Sequence, residues 1–235
     1  MATTLGSLDP MSEIQRARRR AITAGAAIVA FLIVAAVVVV KLWPDSSSPS
    51  GGTPKGPDLT WESVLSGIEL PISRSAGPRT TSNGRALGFQ RSELGSALAA
   101  VHLTYRTIPE AGSEVFEPTI REQVIGDKTE KMLSYVGQQY ESERVKQGVA
   151  AGRPLAPGAG RPLAYQVTKF TEQQADVTLF AGFNTDATKF FAFPLQVRWD
   201  NADWRLVAPP EGNLGNHLTQ LSAIPNGAVS LVRSR

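Results

Sequence analysis

The chain of 235 residues has no cysteine and only two histidines, His102 and His217. The first absence excludes a disulfide framework, a thiolate nucleophile and any cysteine-ligated zinc or iron–sulfur centre. The second leaves too few imidazoles for a histidine-based metal site. Charge of one sign is also scarce over most of the chain: residues 1–44 hold five basic side chains against two acidic ones, whereas residues 45–235 hold 19 of each. The net charge of +3 therefore belongs to a short N-terminal arm. A folded part with no charge excess has no broad basic face to offer nucleic acid.

A long apolar run is present once. From Ala21 to Leu42 the sequence reads AITAGAAIVAFLIVAAVVVVKL, apolar or glycine apart from Thr23 and Lys41. At a rise of ~1.5 Å per residue such a helix spans about 33 Å, against a hydrocarbon core of about 30 Å. The pattern predicts a transmembrane helix over residues 21–43, with Trp43 at the outer interface. Arg16, Arg18, Arg19 and Arg20 flank one side and Lys41 alone the other, which predicts a cytoplasmic arm over 1–20 and export of everything beyond Pro44. A cleaved signal peptide competes with this reading. Its apolar core is shorter, about 7–15 residues, and ends in a pair of small residues that Val37–Pro44 does not supply. The arginines answer to topology and to anionic headgroups, so direct DNA binding is not expected of them.

Residues 44–58 are rich in Ser, Pro and Gly with no large apolar side chain, the composition of a flexible tether. Residues 59–235 suffice for one domain with its own core. In Leu59–Phe89 apolar residues are interrupted by Pro71, Gly77, Pro78, Asn83 and Gly84, which suggests a short turn of helix and then extended chain. Ser92 opens an amphipathic helix carrying Leu94, Ala97, Leu98, Val101 and Tyr105, ending near Thr107. Glu117 before Pro118 predicts the start of a second helix that closes at Gly126. Asp127 and Glu130 resemble a capping box for a third, reaching about Gln147. After a Gly/Pro/Ala loop at 148–162 the period becomes two, with strands around 163–167, 175–183, 191–199 and 204–207. Short turns between them predict an antiparallel meander. The expected fold is α+β: a cone-like domain of three helices packed on one face of a curled four-stranded antiparallel sheet, with the single membrane helix in front.

The element order resembles inner-membrane scaffolds of type IV secretion and conjugation machines, whose exported domain has a nuclear-transport-factor-like fold. A closer local similarity lies in Gly67-Ile68-Glu69-Leu70-Pro71-Ile72-Ser73, Ala76-Gly77-Pro78, Ala86-Leu87-Gly88-Phe89 and the helix Gly95-Ser96-Ala97-Leu98-Ala99-Ala100-Val101. These residues resemble membrane proteins of actinobacterial integrative and conjugative elements. The resemblance implies a single-pass cell-membrane protein with an extracytoplasmic domain. Its partners would be the lipid bilayer, other membrane or secretion-apparatus proteins, and copies of itself. It brings no catalytic residue, metal or cofactor.

Two groups of residues gain a meaning from that expectation. In enzymes of the resembled fold a pocket lies between helices and sheet, and His102 with Tyr105 and a carboxylate would imitate an acid–base set there. The competing reading has both side chains half-buried with wet polar tips. The leading reading is a non-enzymatic scaffold, and the alternative is an anchored enzyme or ligand-binding module using that pocket. For the scaffold, strand alternation puts Phe170, Phe180 and Phe190 on the sheet face away from the helices, and Pro194 marks an edge or bulge. The C-terminal segment, with Leu214, Leu218, Leu221 and Ile224, would cover part of that face and leave the rest as an interface. Asp200 and Asp203 look like paired carboxylates, but their spacing in Asp200-Asn201-Ala202-Asp203 is that of turn formers. The arginine asymmetry makes a direct prediction: protease added to intact spheroplasts removes residues 59–235, and protection of that domain refutes the topology.

Overall fold

The computed structural model describes residues 59–64, 67–156, 158, 160–183 and 186–232, with the side chains of Val64, Phe183 and residues 186–188 excepted. Every described residue belongs to one compact unit, Pro49–Arg235. The expected arm, membrane helix and tether over 1–58 lie outside the described residues. Among those described, no helix is long and apolar enough to cross a membrane.

Four long strands form where the alternation of period two places them: β6 (Arg161–Phe170), β7 (Gln174–Phe183), β8 (Asp186–Asp200) and β9 (Asp203–Val207). They pair antiparallel in sequence order. The expectation of a four-stranded antiparallel sheet is nevertheless wrong. Three further strands join it, β5 (Val124–Ile125), β10 (Thr219–Leu221) and β11 (Val229–Ser230), each too short to show an alternation in sequence. The sheet thus has seven strands in the order β11-β6-β7-β8-β9-β5, with β10 on β8, and it is mixed, because β5 runs parallel to β9.

A second correction concerns residues 59–89, where a turn of helix was expected. They form two antiparallel ribbons instead. One pairs β1 (Thr60–Val64) with β2 (Ile68–Ile72), and the other pairs β3 (Thr80–Ser82) with β4 (Arg85–Leu87). The second turns through Asn83 and Gly84 at φ 48° and 75°, the positive-φ pair that a two-residue hairpin requires. A Cβ on Gly84 would also meet Val115 at 3.0 Å.

Helix α1 (Glu93–Arg106) starts at Ser92, whose side chain accepts from the Gly95 amide. The sequence suggests one apolar stripe, yet every residue from Gly95 to Arg106 is buried. The reason is that α1 is covered twice. It lies against β6, β7, β8 and β9, while β2, β4 and the next helix close over its other side. Ala97, Ala99 and Ala100 leave room for that double approach. Helix α2 (Ser113–Gln123) begins earlier than the proline signal implies and carries Pro118 inside it. Burial of Phe116, Thr119, Ile120 and Gln123 outweighs the amide that proline removes. Helix α3 (Thr129–Gln147) has Lys128 at its N-cap with no side-chain bond, so the capping box at Asp127 does not form. Gly148, left-handed at φ 66°, ends it.

The turn between β8 and β9 places Asn201 and Ala202 at φ 49° and 60°, and Ala202 is exposed. Asp203 is buried, and its carboxylate accepts from the amides of Gly88 at 2.8 Å, Phe89 at 3.1 Å and Trp204 at 2.9 Å. It thereby ties the end of the β3–β4 ribbon to the sheet. Removing the carboxylate leaves two amides 114 and 115 positions away without their acceptor. Asp203→Ala should lower stability by about 3 kcal/mol. Ala202→Gly should raise it by about 1 kcal/mol, because glycine adopts positive φ without a Cβ penalty. Urea unfolding of the two variants checks both signs.

Candidate functional site

His102 is fully buried on α1. Its Nε2 lies 2.9 Å from the Pro71 carbonyl oxygen, which makes Nε2–H the donor and fixes the neutral tautomer, and its ring stands 5.7 Å from that of Phe89. Burial, reinforced by the Arg106 charge and opposed by the Pro71 bond, pushes its pKa down to about 3. Tyr105, three residues on, donates its hydroxyl to the Gly160 carbonyl. Burial and then the Glu110 carboxylate raise its pKa. Both side chains therefore hold main-chain carbonyls of other segments, one within β2 and the other just before β6. They do not converge on a shared opening as an acid–base set requires. The nearest approach to the sought carboxylate is Glu110, raised chiefly by burial and also by Glu143. Its own main-chain carbonyl receives the Leu155 amide. Half-burial with wet tips does not describe His102 and Tyr105, because both are buried.

The residues that sequence reasoning missed lie beside them. Arg106, the last residue of α1, is buried at 2 % exposure and donates Nη1 to the Gly84 carbonyl. Burial lowers its pKa to about 10, partly offset by the Glu62 charge. Gln123 of α2 donates Nε2 to the Ala86 carbonyl at 2.7 Å. An arginine in the last turn of a helix reads as a favourable contact with the helix dipole, so its burial leaves no trace in the sequence.

On the face of the sheet away from α1, the phenylalanines divide. Phe180 is buried with Ala164 and Ala192 under Leu221, Ile224 and Ala228. Of the C-terminal segment, Leu221 of β10 and Ile224 cover this face together with Ala228, whereas Leu214, in a 3-10 turn at Leu214–His217, packs on the main core instead. Phe190 is half-buried and sits opposite Leu221. Phe170 is not on this face. It packs on the main core with its ring 6.3 Å from that of Trp204. The cause is a bulge between Val167 and Lys169, where one extra residue reverses the parity of the rest of the strand. Phe180 therefore belongs to a small second core, and Phe170 packs on the main core, half-buried, on the opposite face from the one expected.

Pro194 is exposed within β8. On one edge it faces Thr178 of β7, while on the other edge β9 pairs Val197–Asp200 and β10 pairs Phe190–Ala192. The Trp199 amide bonds toward the β7 side, to Gln173 at 2.8 Å. Alternation then turns even-numbered amides into the interval between β9 and β10, where Pro194 has none to give. The open edge is thus four residues long and lacks the donor at Pro194, a poor template for strand addition. Around it the outer face is polar: Asp176 accepts from Gln196 at 3.0 Å, and Arg198 is exposed. Arg16, Arg18, Arg19 and Arg20 lie outside the described residues. Among the described residues no group of three or more His, Cys, Asp or Glu side chains could hold a metal ion.

A family model described as a domain of unknown function (DUF8175) matches residues 24–228. The chain belongs to the DUF8175 family. No match was found among the curated proteins or the solved structures. The DUF8175 match spans α1 and every residue bonded to it in the contacts described above.

The buried histidine of this DUF8175 chain makes a prediction with a definite sign. Its folded pKa of about 3 lies below the reference value of 6.5, so the unfolded chain binds more protons between those limits. The stability associated with neutral His102 is whole above pH 6.5 and is lost as pH falls toward 3, by about 1.4 kcal/mol per pH unit. His102→Gln keeps a donor for Pro71 but cannot titrate. Urea unfolding at about pH 6.5 and pH 5 should show a loss in the parent chain about 2 kcal/mol larger than in the variant.

Proposed function

We propose that this chain is a non-enzymatic, membrane-anchored scaffold subunit of a conjugation or type IV secretion-like transfer apparatus, assembling its partners through residues 59–235 outside the cytoplasm. The observation that carries the reading is the use of the titratable side chains on α1. His102, Tyr105 and Arg106 each hold a main-chain carbonyl of a covering segment, which is what a rigid platform needs and what acid–base chemistry does not. The apolar run at 21–42, the arginine asymmetry and the local resemblance to membrane proteins of actinobacterial conjugative elements support the location and the apparatus. The surface available to partners is the polar remainder of the outer sheet face around Pro194 and Arg198, flanked by half-buried Phe190. Other membrane or secretion-apparatus proteins, or further copies of this chain, fit such a mixed surface.

Photo-crosslinkers placed one at a time at Pro194, Arg198 and Val145 in the native membrane test this reading. Val145 is exposed on α3 and serves as the comparison. Crosslinks to membrane or secretion-apparatus proteins, or to a second copy, are expected from the two sheet positions and not from Val145. Crosslinking that is equal at all three positions, or absent, refutes the assigned surface. Phe180→Ser is unsuitable as an interface variant because it opens the second core, at a cost of about 3 kcal/mol.

A further inference from the structure

The dipeptide Asn-Gly occurs twice in the chain, at Asn83-Gly84 and Asn226-Gly227. With no side chain on the glycine, its main-chain nitrogen can approach the asparagine Cγ without a clash. The nitrogen attacks Cγ and gives up its proton, the bond from Cγ to the side-chain nitrogen breaks, and ammonia leaves. Water then opens the resulting succinimide at either carbonyl. Opening at one gives aspartate. Opening at the other gives isoaspartate, whose main chain runs through Cγ and is longer by a methylene. The reaction needs no catalyst, so the fold decides only whether the nitrogen reaches Cγ.

The two sites differ in that respect. Asn83 and Gly84 form the turn of the β3–β4 hairpin, closed by the pairing of Ser82 with Arg85. The Gly84 carbonyl receives Nη1 of buried Arg106, and Val115 of α2 stands against the glycine. Rotating that peptide breaks the arginine bond and drives the glycine into α2. Asn226 and Gly227 are both exposed, in a turn over 225–228 whose closing bond, from the Ala228 amide to the Pro225 carbonyl, is long at 3.3 Å. Gly227 stands at φ 92°, and nothing lies within 4 Å of where its Cβ would be. The other described asparagines precede residues that carry a side chain: Asn201 before Ala202, Asn213 before Leu214 and Asn216 before His217.

The surroundings of the exposed site give the reaction a consequence. Ile224 and Ala228, two residues to either side of Asn226, both pack on the second core with Phe180. Beyond them β11 is held by two residue pairs, to Ala164 and Tyr165, and Leu231 sits in the main core. The link over 224–228 is therefore seated at both ends, and its length is matched to those seats.

We propose that Asn226-Gly227 is a site of spontaneous isoaspartate formation, and that the lengthened main chain releases β11 from β6. Release frees the edge of β6 at Ala164 and Tyr165, an apolar template for a strand from another chain. Asn83-Gly84 has the same chemistry and is kept from it by its hairpin and by Arg106. Neither statement depends on the scaffold reading.

The test ages the purified full-length chain in mild detergent at mildly alkaline pH, with a second portion in urea. Peptide mass mapping with isoaspartyl methyltransferase labelling locates the product, and hydrogen exchange follows the Leu231 amide, which bonds to Leu163 at 2.8 Å. In the folded chain isoaspartate should form at 226 at least about tenfold faster than at 83, the factor that a hairpin-opening free energy of about 1.4 kcal/mol imposes. In urea the two rates should converge. Asn226→Gln, which can close only a slower six-membered ring, should age unmodified with Leu231 protected. Freshly prepared Asn226→Asp, which has the new charge on an unaltered main chain, should also keep that protection. Isoaspartate absent from 226, or formed as fast at 83 in the folded chain, overturns the site. Exchange at Leu231 that is unchanged in the modified chain, or equally raised in fresh Asn226→Asp, overturns release by a lengthened main chain.

Discussion

A helix buried on every side has to be covered twice, and the rest of this domain is arranged around that requirement. The sheet supplies one cover through an apolar contact that includes Val177, Leu179, Val197 and Leu206. The second cover is assembled from short pieces that have little apolar area of their own. Side chains of the central helix and its neighbours fix them in place: His102 to Pro71, Arg106 to Gly84, Gln123 to Ala86, Asp203 to Gly88 and Phe89, and the Trp204 indole N–H to Gln90 at 2.9 Å. Each bond joins a side chain to a main-chain group of residues 71–90. A ribbon of two strands is marginal in isolation, so its register here is set by the partners that α1, α2 and β9 present.

How much of this is legible in the sequence differs by element for physical reasons. The four long strands are readable because their faces differ in polarity and alternation records that difference. Phe170 shows the limit: one extra residue at the bulge shifts it to the opposite face, and nothing in the local composition marks a bulge. Pro194 is readable as a break in pairing, and the structure supplies the reason, an amide position facing a gap. The extent of α1 can be read from its cap and its spacing, but its surroundings cannot. A stripe of apolar residues says which face packs on the sheet and is silent about a second cover. Asn83 and Gly84 carry a hairpin signal, obscured because each flanking strand has only three residues.

For the candidate site, residue type alone gives His102 and Tyr105 a chemical meaning that their environment withdraws. The reverse holds for Arg106 and Asp203, ordinary in sequence and central in the structure. Burial is what separates the two cases. A polar group inside a protein must be answered by another polar group, and in this domain most of the answers are backbone atoms of distant segments. Such pairings are invisible to periodicity, because they link positions 22 to 115 residues apart.

The C-terminal segment that crosses the outer face ends by returning to the interior. Its last pairing is a strand of two residues on β6, after which Leu231, 1 % exposed, enters the main core while its amide bonds to Leu163 at 2.8 Å. The sheet is therefore incomplete until β11 has joined β6. Synthesis from the N-terminus delivers β2 and β4 before α1 and the sheet after it, with β11 the last of its strands, so the core cannot be completed without Leu231.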